Sequence, residues 1–126
     1  MKPIKEQIKE FWKRCGITWK NEGGCFAAYQ DKELIIYLTD TILKDGVWHK
    51  RTLLDVLPID LNNLFKYAVP KVQEMGYGVL LCDYCSKPPF NCELYSYDTD
   101  HEQPASTAKD NDPALALFWA IWEIIK

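Results

Sequence analysis

The chain has 126 residues, 48% of them apolar and 13% aromatic, with 18 acidic against 15 basic side chains and a formal charge of −3. A chain of that length has room for one domain that buries roughly two thirds of its unfolded surface, and its apolar content excludes a disordered coil. The acidic balance offers no basic field to a phosphate backbone, so nonspecific nucleic-acid binding is not expected. No apolar run reaches the ~18 residues of a membrane span.

Ile4, Ile8, Phe11, Trp12 and Cys15 recur at helical spacing among lysines and glutamates. They predict a helix over 3–15 with one buried stripe. This amphipathic pattern differs from the charged start and apolar core of a secretory signal. Five cysteines, Cys15, Cys25, Cys82, Cys85 and Cys92, are an odd number and fit reduced thiols, so a cytoplasmic setting is expected. After the stop signal Gly16, residues 17–51 read as small irregular strands. Cys25 to Tyr29 and Leu34 to Leu38 are two of them, and Asp45-Gly46 marks a tight hairpin turn.

A second helix is predicted over 60–75, capped by Asp60 and ended by Gly76, with Leu61, Leu64, Phe65, Ala68, Val72 and Met75 as its apolar stripe. Pro70 lies inside it. Proline lacks an N–H and its ring crowds the carbonyl of Lys66, so the helix should kink or restart near Val69. Tyr77 to Cys85 and Cys92 to Tyr97 predict a hairpin over 77–97, with Pro88-Pro89 in the rigid connection. Val79 to Cys82 are consecutive and apolar, which predicts cover on both faces of that strand. Asp98 to Asp112 reads as a long polar connector. Asp112-Pro113 then opens a last helix over 113–125, in which Glu123 is the only charge. A helix apolar nearly all round is hard for a small domain to bury, so Phe118, Trp119, Trp122 and Ile125 are candidates for a subunit contact in a homo-oligomer.

The segments LPIDLNNLFKYAVPKVQEMGYGVLLC, residues 57–82, and DNDPALALFWAIWEIIK, residues 110–126, resemble the phage ABA sandwich domain, a family of small phage and prophage proteins. The resemblance implies an α+β protein built as an α/β/α sandwich, with helices on both faces of a small antiparallel sheet. It also implies a bacterial host cytoplasm. The family name describes architecture, and no reaction transfers with it.

Cys82-Asp83-Tyr84-Cys85 has the spacing of a metal knuckle, but sulfurs at these two positions of a continuing strand project to opposite faces, so no metal site is expected. His49 and His101 stand fifty-two positions apart, outside metal or acid–base spacing. Cys85, His101 and Asp100 form a nucleophilic set by composition only. Without a nucleophile elbow or a phosphate-binding glycine loop, neither an enzyme nor a bound cofactor is expected. Two binding constellations remain. Ser106, Thr107 and Lys109 precede the last helix, where hydroxyls, an ammonium and free N–H groups could cradle an anion, although Asp110 and Asp112 oppose one. Tyr84, Tyr95 and Tyr97 line the hairpin, where rings of this kind stack on a nucleobase or simply close a core. These point to a non-catalytic protein that sequesters a small anionic or nucleotide-like ligand, such as a nucleotide immune signal. The alternative is a protein-interaction module that uses the apolar C-terminal helix.

Overall fold

A computed structural model describes residues 1–22, 25–82, 88–98 and 103–126. The class is α+β, small antiparallel sheets with helices. Contacts gather into two compact units, one formed by Gly16–Leu57 and the other by Met1–Cys15 with Pro58–Lys126.

The Gly16–Leu57 unit is all strand. β1 (Ile17–Glu22), β2 (Cys25–Gln30) and β3 (Glu33–Tyr37) form an antiparallel meander, and β4 (Thr39–Lys44) and β5 (Val47–Thr52) form a separate two-stranded ribbon. Asp45 and Gly46 both adopt positive φ, 52° and 75°, between the paired residues Lys44 and Val47. This is the twist-matched hairpin turn that the Asp-Gly pair predicts. Meander and ribbon are tied where Leu38 donates its N–H to the Phe26 carbonyl and Phe26 donates to Thr39 Oγ1, both at 2.7 Å. Every residue of β5 is exposed, and Trp48 keeps 68% of its surface.

Asp31 and Lys32, at φ 51° and 71°, form a two-residue turn joining β2 to β3. A lysine Cβ is strained in that region, whereas glycine is not. Lys32→Gly is expected to stabilise the chain by about 0.5–1 kcal/mol, the relieved strain less the extra freedom glycine gives the unfolded state. A urea titration reads it, and a lowered midpoint would contradict the assigned backbone.

The other unit holds α1 (Lys5–Arg14), α2 (Leu61–Asn63), a π-helical stretch Leu64–Ala68, α3 (Val69–Glu74), β6 (Tyr77–Cys82), β7 (Phe90–Ser96), β8 (Ser106–Asp110) and α4 (Pro113–Ile125). The caps match their residues: Asp60 Oδ1 accepts from Asn63 N at 2.7 Å, Asp112 Oδ1 accepts from Ala114 N at 2.9 Å, and Gly76 ends its helix at φ 96°. The expected restart at Val69 takes the form of a π turn. Val69 N–H reaches back to the Leu64 carbonyl, five residues away, and α geometry resumes with Pro70 in its first turn. The surplus residue rotates the helix beyond it. Leu64, Ala68, Val69 and Val72 face inward, and Phe65 and Met75 of the predicted stripe are exposed.

β6, β7 and β8 form an antiparallel sheet with β7 in the centre. β8 lies within the predicted connector, so that reading is corrected. Its apolar content is too low to signal a strand, yet it alternates: Ser106 is buried and Thr107 and Lys109 are exposed. α3 packs on β6, and α4 packs on β7, β8, the π turn and α1. The buried side of the sheet carries Cys92, Leu94 and Ser106. On the other side Leu80, 47% exposed, and Tyr97, Thr107 and Lys109 meet solvent. Among the described residues of this unit, helices therefore cover one face of the sheet, where the run Val79 to Cys82 predicts two.

Candidate functional site

The open face of the sheet collects most of the polar and aromatic residues singled out for binding. Strand alternation and register decide which ones. Tyr95 pairs with Gly78, Glu93 with Leu80 and Thr107, and Asn91 with Cys82 and Lys109, so these side chains project to the same side. The Tyr97 ring joins them because position 78 has no side chain: a Cβ there would lie 3.2 Å from the ring. Gly78, Val79, Leu80, Tyr95 and Tyr97 line a cleft of about 420 Å³. A second hollow, of about 540 Å³, is a single helical face formed by Leu61, Asn62, Phe65 and Lys66.

A directional hydrogen-bond chain runs from this cleft across the sheet. Thr107 Oγ1 donates to Asn91 Oδ1 at 3.2 Å, Asn91 Nδ2 donates to Glu93 Oε1 at 3.1 Å, and Tyr95 Oη donates to Glu93 Oε2 at 2.5 Å. Asn91 is 6% exposed and satisfied at both ends. No buried side-chain nitrogen or oxygen among the described residues lacks a partner. The carboxylate of Glu93 is thus held by two donors beside an aromatic ring, and each oxygen retains acceptor capacity. Lys109, opposite Asn91, places a cation about 14 Å from Tyr95, four residues along β7 and one strand across. The face is aromatic at one end, carboxylate in the middle and cationic at the other.

The residues expected at the helix N-terminus do not gather there. Thr107 and Lys109 belong to the open face, and Ser106 points the opposite way. Its Oγ donates to the Ala120 carbonyl at 2.7 Å, deep in α4. Ser106 therefore fastens strand to helix and is withdrawn as a ligand residue, because its donor is committed inside the core. Tyr84, Cys85, Asp100 and His101 lie outside the described residues. The missed members are Asn91 and Glu93. The alternation Asn91, Glu93, Tyr95, Tyr97 was their available signal, a polar face opposite Cys92 and Leu94.

The proposed subunit contact is corrected at Phe118 and Ile125, whereas Trp119 and Trp122 stay part-exposed. Phe118 is 0% exposed and Ile125 is buried, because α4 lies among the sheet, the π turn and α1 of its own chain. Phe118 meets Phe11 at a centroid distance of 4.5 Å and stacks on Trp122 at 6.2 Å. Trp119, part-exposed, donates its Nε1–H to the Met1 carbonyl at 2.7 Å.

Cys15 and Cys92 are buried, Cys25 and Cys82 are part-exposed, and all four are free thiols. Burial pushes the thiols of both Cys15 and Cys92 up to about 12, with Cys82 and Glu93 adding repulsion at Cys92. Among the described residues no cluster of three or more His, Cys, Asp or Glu is placed to hold a metal, and no helix is long and apolar enough to cross a membrane. Comparison with family models, curated proteins and solved structures finds no match to this chain.

Proposed function

We propose that the chain binds a small nucleotide-like ligand on the open face of β6, β7 and β8 and holds it without chemical change. One observation carries this reading: Tyr95, Tyr97, Thr107 and Lys109 share a sheet face, beside a cleft and a fixed polar chain. Aromatic rings stack on bases of any sequence, a lysine ammonium attracts phosphate, and the sheet backed by helices fixes the distance between them. The framework is formed before the ligand arrives, which reduces the ordering that binding requires. The resemblance to small phage and prophage proteins supplies the setting, sequestration of a nucleotide signal of bacterial defence in the host cytoplasm. A homo-oligomer is compatible with the open face. The interaction-module reading keeps only the part-exposed Trp119 and Trp122, since Phe118 and Ile125 are packed inside their own chain.

Calorimetry and thermal shift with nucleoside mono-, di- and triphosphates test the proposal. Binding should raise the unfolding temperature, and Tyr97→Ala and Lys109→Ala should each weaken it about 10-fold or more, at exposed positions that leave the fold intact. The ligand should be recovered unchanged by mass spectrometry. Absence of any shift at millimolar nucleotide would refute the proposal, and turnover would refute its non-catalytic part.

A further inference from the structure

Building on the nucleotide reading, we infer that Glu93 is the residue that selects the base, and that the base it selects is guanine. Glu93 Oε1 accepts from Asn91 Nδ2 and Oε2 accepts from Tyr95 Oη, so the plane of the carboxylate is fixed from two sides. A carboxylate oxygen has two lone pairs. Each oxygen thus keeps capacity for one further bond, and the group offers two acceptors and no donor. The complementary ligand edge has two adjacent N–H donors, which guanine supplies as N1–H and N2–H. Adenine offers one donor beside an acceptor, and that acceptor would face a carboxylate oxygen.

The surroundings favour a planar ring over another two-donor group such as a free guanidinium. Tyr95, whose hydroxyl marks one side of the carboxylate, also lines the cleft with Leu80 and Tyr97. Leu80 stands directly across the ladder from Glu93, giving an apolar wall on one side, and Thr107 stands across on the other. A base laid on these groups brings its edge to Glu93. The carboxylate repels phosphate from the centre of the face, and the sugar and phosphate, carried on the edge of guanine away from N1 and N2, point away from Glu93. Glu93 is therefore a specificity-determining residue that rejects the wrong base by unpaired polar contact.

The isosteric Glu93→Gln variant tests this with a change of preference. An amide presents one acceptor and one donor, the pattern that adenine complements. Affinities of guanosine and adenosine 5′-monophosphate are measured by calorimetry for the natural chain and the variant, with thermal unfolding as the control for folding. The expected result is a preference for guanosine monophosphate of about 10–100-fold in the natural chain, reversed in the variant. Equal affinities in the natural chain, or a ratio unmoved by the substitution, would overturn the role of Glu93 while leaving nucleotide binding in place. Tighter competition by methylguanidine than by guanosine would overturn the assignment of the base. If neither nucleotide binds, both this inference and the reading beneath it fall.

Discussion

Phe118→Ala is expected to lower stability by about 3–5 kcal/mol, a large share of what a domain of this size possesses. The side chain is fully enclosed, packed on Phe11 and stacked on Trp122. Truncation removes both the apolar area and the two ring contacts, and leaves a cavity between α1 and α4 whose walls are helices tied elsewhere. Equilibrium unfolding in urea measures the loss. It should be independent of protein concentration, because the ring is covered by its own chain. A loss that shrinks as concentration rises would instead return the last helix to a subunit seam.

Thiol reactivity should separate by position. In the folded chain at pH 8, Cys15 and Cys92 should react with iodoacetamide about 1,000-fold more slowly than an ordinary thiol, since the thiolate is the nucleophile and burial raises both from 9.0 to about 12. Peptide mass spectrometry after timed alkylation reads each position, and denaturant should abolish the difference. The same two thiols make the fold sensitive to alkali. Their folded pKa lies above the unfolded value, so their contribution is complete below pH 9 and is lost as pH rises from about 9 to 12. Rapid alkylation of Cys92 in the native state would mean that the β7 core opens readily.

The fold was legible where local chemistry is decisive. Asp60, Gly76, Asp112 and Asp45-Gly46 satisfy specific backbone needs, and each stands at the boundary it predicts. Pro70 announced a break but not its form, because a missing N–H can be accommodated by a bend or by a π turn, and tertiary packing chooses. β8 was hidden by its composition. Its inward residues, Ser106 and Ala108, are small so that a helix can lie close, and small side chains leave a weak periodic signal. The candidate site was half legible for the same reason. Tyr95 and Tyr97 advertise themselves, whereas Asn91 and Glu93 gain significance only from neighbours on other strands. The all-round apolarity of α4 pointed to an external partner, but packing by the sheet, the π turn and α1 accounts for its buried surface.

The ribbon of β4 and β5 has a consequence for life in a crowded solution. A two-stranded sheet presents backbone donors and acceptors along its margins, and here Leu43, Val47 and Trp48 stand beside them uncovered. Such a segment would template fibrous stacking if it were neutral. Lys44 and Lys50 sit among those apolar groups, and in-register stacking of identical ribbons would bring like ammonium groups together. The adhesive element thus carries its own gatekeepers, two like charges that oppose the in-register approach of a second ribbon.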